Sequence, residues 1–172
     1  MLPIACAAID ALKERGLTVA TCESLTGGMI CAALVDVPGA SRVVRGGLIT
    51  YQTDTKTLLA GVDESLIAGK GVVSGEVAAA MAQGTRSRLG VDIAVSATGM
   101  ASPGNPEDPP AGTVYVGLST AANTLAIALR LPGDRQEVRR RPWKPRFRQS
   151  CPPCTRFPIH HAKGSKAFRR YI

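Results

Sequence analysis

The stretch Leu17-Thr-Val-Ala-Thr-Cys-Glu-Ser-Leu-Thr-Gly-Gly-Met-Ile-Cys-Ala-Ala-Leu-Val35 contains a short apolar run, a polar loop and a second apolar run. Residues 17–21 predict a strand, and residues 29–35 are typical of a buried helix. The polar loop at 21–28 lies between them, and α/β proteins place ligands outside the carboxyl ends of their strands. The stretch therefore predicts an α/β fold with a candidate site at this loop.

The alternation of strands and helices continues on both sides of this stretch. Residues 4–15 have helical spacing, and Gly16 ends them. After the stretch we predict a strand at 47–51 and a short helix that Thr53 or Asp54 caps. A long helix at 76–89 is capped by Ser74 and followed by Gly90, and further strands are predicted at 92–97, 113–118 and 124–131. Strands separated by helices indicate a layered α/β domain, whose strand order the sequence leaves open.

The net charge of +8 over 172 residues is unevenly distributed. Residues 1–134 contain 9 Lys and Arg against 12 Asp and Glu, whereas residues 135–172 contain 12 against one. The last segment also holds Trp143, all three Phe residues, both His residues and five prolines. We therefore predict one domain over residues 1–138 and an irregular basic tail over 139–172.

Targeting signals are not evident in the sequence. No apolar run reaches the ~18 residues that a membrane span needs. The first residues lack the basic region of a secretory signal, and the five cysteines form no obvious disulfide framework. We expect a cytoplasmic protein without membrane association.

The predicted domain contains no histidine, which excludes Ser-His-Asp and Cys-His hydrolase sites built from its residues. The loop at 21–28 presents Ser24 beside Gly27 and Gly28, at the start of the next helix. Unpaired N–H groups at a helix start can hold a phosphate or a developing oxyanion. The alternative is a tight turn in which Ser or Thr caps the helix.

Two further polar segments follow predicted strands. Tyr51 and Lys56 form a Tyr-x4-Lys pair, and a partly buried lysine with a lowered pKa can act as a base toward a serine. The alternative is a solvated surface lysine. The Gly- and Pro-rich loop at 98–112 has the length of a functional loop, although an ordinary surface connection explains it equally well.

These segments share their order and spacing with one family. The matching residues are Glu23-Ser-Leu-Thr-Gly-Gly28, Asp36-Val-Pro-Gly-Ala-Ser41, Arg45-Gly-Gly47, Tyr51 with Lys56, Gly61-Val62, Val73-Ser74, Thr98-Gly-Met-Ala-Ser-Pro-Gly104, Gly112-Thr-Val114 and Pro132-Gly-Asp-Arg135. Together they resemble the CinA C-terminal domain family, whose stand-alone members are nicotinamide mononucleotide deamidases. The resemblance runs from the start of the chain to about residue 140.

The resemblance implies a three-layer α/β/α sandwich that hydrolyses the carboxamide of nicotinamide mononucleotide to nicotinate mononucleotide and ammonia. It implies catalytic roles for Ser24 as nucleophile, Lys56 as base and Tyr51 as assistant. It further implies a pyridine nucleotide substrate, a homo-oligomer, and no metal or cofactor. The substrate-binding residues it implies are Thr26, Gly27, Gly28, Thr98, Gly99 and Arg135, the last for the phosphate.

The sequence departs from the family pattern in two places. Met100 and Ser102 stand where the family usually has Ile and Gly. After Arg135 the family continues into an amphipathic helix that closes the domain, but here Pro142-Trp-Lys-Pro145 interrupts it. The abrupt change in composition suggests a shifted reading frame and the loss of the closing helix.

Other functions remain open from the residues alone. The basic aromatic tail could bind nucleic acid or an anionic surface, with the domain impaired as an enzyme and acting as a binding module. A zinc site at Cys151 and Cys154 with His160 and His161 has unsuitable His spacing, and a redox Cys-x-x-Cys lacks its usual setting. Cys22 or Cys31 could replace Ser24 as the nucleophile, with a Glu and Lys56 as partners.

Overall fold

The computed structural model of the protein describes residues 2–141. Helices and strands alternate as far as the second strand and are then followed by three consecutive helices, three consecutive strands and a last helix, with one 3₁₀ turn at Ala40–Arg42. The elements are α1 (Pro3–Arg15), β1 (Val19–Glu23), α2 (Met29–Val35), β2 (Val44–Ile49), α3 (Thr53–Ala60), α4 (Glu64–Lys70), α5 (Gly75–Leu89), β3 (Ile93–Gly99), β4 (Thr113–Ser119), β5 (Thr124–Arg130) and α6 (Arg135–Arg140).

The strands form one mixed sheet with the order β2-β1-β3-β4-β5. β1 lies between β2 and β3 and is parallel to both, while β3, β4 and β5 are antiparallel neighbours. Because β1, β2 and β3 run in the same direction, their carboxyl ends meet at one edge of the sheet. The three polar segments of the sequence follow these three strands.

Helices cover both faces of the sheet. Val19 of β1 packs with Ile9 and Leu12 of α1 on one face. Cys22, which points to the other face, packs with Val77 and Met81 of α5. This alternation confirms the α/β/α sandwich, with α1, α2 and α6 on the first face and α3, α4 and α5 on the second.

Several local predictions are confirmed and others are wrong. The hydroxyl of Ser74 accepts the N–H of Val77 at 3.3 Å and caps α5 as expected. β2 begins at Val44, three residues before the predicted strand, and α4 was not predicted at all. The N-cap of α3 is Gln52, so Thr53 and Asp54 lie in its first turn instead.

Two glycines let α5 lie close to its neighbours. A Cβ at Gly84 of α5 would collide with the carbonyl of Ala60 at the end of α3. A Cβ at Gly117 of β4 would collide with the carbonyl of Ala78 in α5. Backbones this close leave no room for a methyl group, and α3, which carries Lys56, is held against α5.

The expected loss of the closing helix is only partly correct. Asp134 and Glu137 form a capping box that starts α6, and Val138 is fully buried among Leu25, Val114 and their neighbours. The helix extends to Arg140, two residues past the predicted domain boundary. A short helix therefore covers the end of this face, and residues 142–172 of the predicted basic tail lie outside the described part of the chain.

Candidate active site

A cavity of about 770 Å³ opens at the carboxyl edge of the parallel strands. It is lined by residues from the loop after β1, the start of α3, the loop after α4, the end of β3 and the start of α6. Five of the predicted site residues line it, namely Ser24, Tyr51, Thr98, Gly99 and Arg135. Segments far apart in sequence therefore form one concave site.

The central contact of the site joins Lys56 and Ser24. Nζ of Lys56 lies 3.3 Å from Oγ of Ser24, and both side chains are buried, at 0% and 8% exposure. The amine also lies 2.7 Å from the carbonyl of Thr50, and 3.4 Å from those of Tyr51 and Gln52. These carbonyls orient the amine toward the hydroxyl, and no carboxylate in residues 2–141 forms a salt bridge with it.

Burial lowers the pKa of Lys56 below its ordinary value, because removal from water disfavours the ammonium form. Cys22 and Asp54 act in the opposite direction, but their influence is smaller. A neutral amine has a lone pair that can accept a proton. The pair therefore has the chemistry of a nucleophile and its base.

The turn that carries Ser24 is fixed by the backbone. The N–H of Ser24 donates to the carbonyl of Ala97 in β3 at 2.9 Å, and the N–H of Gly27 donates to the carbonyl of Ser24 at 3.1 Å. Gly27 and Gly28 both have positive φ, which turns the chain sharply into α2. Ser24 is thereby presented at the end of β1.

The side chain of Glu23 lies at the start of α2, where the sequence predicted a site for a phosphate or an oxyanion. Its buried carboxylate accepts the N–H groups of Gly28, Ile30 and Cys31 at 2.8–3.0 Å, and the hydroxyl of Thr21 at 3.0 Å. The donors at the start of α2 are thus occupied by an internal anion. A substrate phosphate would have to displace Glu23 from these N–H groups. The geometry therefore does not support the expected role of Gly27 and Gly28 in binding the phosphate.

Tyr51 and Arg135 meet at the mouth of the cavity. Nη2 of Arg135 donates to the hydroxyl of Tyr51 at 2.9 Å, and Nη1 donates to Oγ of Ser102 at 3.3 Å. Tyr51 is 55% exposed, and its hydroxyl contacts Arg135 instead of Lys56. The guanidinium has only neutral oxygen partners in the described part of the chain, and its charge remains available to an anion.

The remaining predicted binding residues are placed differently. The hydroxyl of Thr98 donates to the carbonyl of Val72 at 3.0 Å, which ties the end of β3 to the loop before α5. Gly99 pairs with Val114 and lines the cavity wall. Thr26 is fully buried, is not among the lining residues, and its hydroxyl has no partner within residues 2–141.

The sequence did not predict the part of the cavity wall that α4 and the loop after it form. Lys70, Gly71, Val72 and Val73 come from the end of α4 and the loop after it. α4 has no long apolar periodicity, but the Asp63 side chain that accepts the N–H of Ser65 is an N-cap signal that could have revealed it. Glu107 also lines the wall, within the predicted loop at 98–112.

Cys22 and Cys31, the alternative candidates for the nucleophile, suit a structural role better than a catalytic one. Cys22 points away from Glu23 into the α5 side of the sheet, as strand alternation predicts. Burial raises the pKa of the Cys22 and Cys31 thiols, which disfavours the reactive thiolate.

Within residues 2–141, no three His, Cys, Asp or Glu side chains gather as metal ligands do. The helices there also lack the length and apolar character of a bilayer span. Cys151, Cys154, His160 and His161, which were weighed as an alternative zinc or redox site, lie outside this part of the chain.

Comparison with known proteins identifies relatives of this arrangement. The family model for the CinA C-terminal domain matches residues 2–148. A CinA-like protein of Frankia casuarinae is 48% identical over 128 residues, which are 74% of this chain and 30% of that protein. A CinA-like protein of Acidobacterium capsulatum is 44% identical over 129 residues, covering 74% and 31%. The chain thus spans about a third of the length of these curated relatives.

The fold is similar to that of a solved structure as well. The crystal structure of the competence/damage inducible protein CihA from Agrobacterium tumefaciens matches with a TM-score of 0.78 and 34% identity. The match covers 81% of this chain and 87% of that one. The sandwich is therefore the fold of known relatives.

Proposed function

This chain belongs to the CinA C-terminal domain family, and from that premise we propose that it hydrolyses the carboxamide of nicotinamide mononucleotide. The products are nicotinate mononucleotide and ammonia. The reaction returns a pyridine nucleotide to salvage. It needs a nucleophile, a base and an anchor for the phosphate. Ser24 and Arg135 line the cavity, and Lys56, which is buried and not among the lining residues, contacts Ser24.

The observation that carries the proposal is the contact of Lys56 with Ser24. The two reacting atoms are 3.3 Å apart, in a buried position whose surroundings lower the pKa of the lysine. Apart from Ser24, the partners of the amine are backbone carbonyls, and burying an amine without a carboxylate partner is costly. Such a cost is common at sites where the perturbed group performs chemistry.

The proposed reaction proceeds in two stages. Neutral Lys56 takes the proton of Ser24 as Oγ attacks the carboxamide carbon. The C–N bond breaks, the proton on Lys56 passes to the leaving nitrogen, and ammonia departs. Water then attacks the acyl-serine ester with Lys56 again as base, and cleavage of the ester C–O bond restores Ser24 and releases the carboxylate.

Arg135 is the proposed anchor for the substrate phosphate. Its fork of donors suits two phosphate oxygens, and its present partners, Tyr51 and Ser102, are neutral. It lies at the mouth of the cavity, whereas Ser24 lies at the carboxyl end of β1. A substrate with an amide at one end and a phosphate at the other can span the two.

Ammonia release from nicotinamide mononucleotide tests the proposal. The intact chain should release ammonia, and Ser24→Ala and Lys56→Ala should each lower kcat/KM by about a hundredfold or more, the scale of losing a nucleophile or its base. Ser87→Ala and Lys13→Ala are matched controls, because Ser87 is exposed on α5 and Lys13 lies on α1, outside the cavity lining.

Two results would contradict the proposal. Retention of activity in both site variants would exclude the Ser24–Lys56 pair. A folded but inactive intact chain would instead favour the impaired domain that acts as a binding module.

A further inference from the structure

Two different elements hold the turn that carries Ser24. β3 contacts the turn where it begins, and α6 contacts it just after Ser24. The N–H of Ser24 is fixed to Ala97 in β3 at 2.9 Å. The carbonyl of Leu25, one residue later, points toward α6, where Nε of Arg139 donates to it at 2.8 Å. Arg139 is therefore the donor that the structure provides for this half-buried carbonyl.

The guanidinium of Arg139 lies directly over the turn. A Cβ built on Gly27 would be 3.4 Å from its Nη2, so the group packs against the backbone of Gly27 as well as bonding to Leu25. The preceding residue, Val138, is fully buried in the same cluster as Leu25. α6 thus contacts the turn through an apolar side chain and a charged hydrogen bond.

The first residue of α6 has a separate contact with the site. Arg135 lies at the cavity mouth, 2.9 Å from the hydroxyl of Tyr51, while Arg139 lies one turn further on at the Ser24 turn. No carboxylate in residues 2–141 forms a salt bridge with Arg139. The half-buried guanidinium is therefore directed at a backbone carbonyl and not at an anion.

We propose that Arg139 is a positioning residue, which holds the Ser24 turn so that Oγ stays within reach of Lys56. The inference rests on the proposed function. The 3.3 Å contact between Nζ and Oγ leaves little tolerance, because a displacement of about 1 Å at reacting groups can cost a hundredfold in rate. Loss of the Leu25 contact releases the turn on the side that β3 does not hold.

The kinetic test compares two neighbouring arginines of α6. Arg139→Gln should lower kcat for nicotinamide mononucleotide about 10- to 100-fold with little change in KM, since the phosphate anchor Arg135 is retained. Arg139→Lys, which keeps a charged donor, should recover part of the loss. Arg140→Gln removes the same charge from an exposed position and should change neither constant.

Amide hydrogen exchange gives a readout that does not need turnover. In Arg139→Gln, the amide of Gly27, which closes the turn, should exchange faster than in Arg140→Gln, while the amides of β3 remain equally protected in both. If the wild type does not hydrolyse the nucleotide, the proposed function fails, but faster exchange at Gly27 still shows that Arg139 holds the turn.

Two outcomes overturn the positioning role. The first is that Arg139→Gln matches Arg140→Gln in both kcat and exchange at Gly27. The second is that only KM rises, which would mean that Arg139 acts through Arg135 on binding and not on Ser24.

Discussion

Lys56 is among the largest side chains that the fold buries completely, and its position depends on two backbone features. β2 ends at Ile49, so that the carbonyls of Thr50, Tyr51 and Gln52 turn toward the amine before α3 begins. The Tyr-x4-Lys spacing predicted a base near a strand end. The three carbonyls were beyond prediction, because they depend on backbone orientation and not on residue type.

The buried lysine makes stability depend on pH in a defined direction. Since the pKa of Lys56 is lowered in the folded state, the unfolded chain binds more protons between that value and the ordinary 10.5. The contribution of Lys56 to the free energy of unfolding should therefore rise with pH in this window, by up to about 1.4 kcal/mol per pH unit. The raised pKa of the Cys22 and Cys31 thiols acts in the opposite direction above their ordinary value of 9.0. Urea unfolding at pH 7 to 10 measures the rise.

Variants isolate the contribution of the lysine. Lys56→Met should lack this part of the pH dependence, whereas Ser24→Ala, which keeps the lysine, should retain it. Equal pH dependence in wild type and Lys56→Met would mean that Lys56 keeps its ordinary pKa in the folded protein.

Tyr51 offers a test between two roles. The hydroxyl contacts Arg135 at 2.9 Å, which favours orientation of the phosphate anchor over direct assistance to Lys56. Tyr51→Phe removes one hydrogen bond of about 1 kcal/mol and should raise KM about fivefold at unchanged kcat. A large fall in kcat of Tyr51→Phe at constant KM would instead mean that Tyr51 assists Lys56 in catalysis. Steady-state kinetics on the two variants Tyr51→Phe and Ser102→Gly compares the two oxygen partners of Arg135.

At the scale of elements, α5 determines where α3 lies. The sequence predicted α5 from the cap at Ser74 and from Gly90 after its end, and it predicted α3 from the possible caps Thr53 and Asp54. The contact between the two helices was not predictable from the sequence, because Gly84 inside a helical pattern does not by itself indicate close packing against another helix. The same limit applies to β2, whose early residues, Val44 to Gly46, include arginine and glycine and give no clear alternation.

Gly84 is the residue that permits this contact. Gly84→Ala places a methyl group on the carbonyl of Ala60 and should destabilise the protein by about 1–3 kcal/mol or more, as overpacking does. Because α3 carries Lys56, activity should fall as well. Thermal unfolding and ammonia release measure the two effects.

Gly69 provides the matched control. It lies in α4, is exposed, and a Cβ there meets nothing within 4 Å. Gly69→Ala should stabilise the protein by about 0.5–1 kcal/mol, since alanine is the better helix former. A Gly84→Ala variant as stable as Gly69→Ala would contradict the close packing of α3 on α5.

At the scale of the whole molecule, the site depends on chain segments more than a hundred residues apart. Ser24, Lys56 and Arg135 follow β1, follow β2 and begin α6, respectively. The sequence predicted a site role for all three through the order of motifs in a known family, whereas spacing alone left a surface lysine and an ordinary turn as alternatives. Their convergence depends on the strand order, which the sequence did not reveal.

Ligand binding should therefore stabilise the whole domain. In the Ser24→Ala variant, which we expect to bind nicotinamide mononucleotide without cleaving it, a nucleotide concentration of 100 times Kd should add about 2.7 kcal/mol to the free energy of unfolding. Adding Arg135→Gln should abolish most of the resulting shift in Tm, whereas Arg45→Gln, which lies at a separate surface depression, should not. An equal ligand-induced shift in Tm in both variants would mean that Arg135 does not bind the substrate phosphate.

Glu23 has a consequence for how the protein responds to the anions of its surroundings. Its carboxylate is tethered only five residues from the Gly28 amide that it accepts, so it competes for the start of α2 as an intramolecular ligand of high effective concentration. Free orthophosphate at millimolar levels should not displace it. The backbone donors at the start of α2 are thus already occupied, and among residues 2–141 we expect inorganic phosphate to inhibit by binding at Arg135.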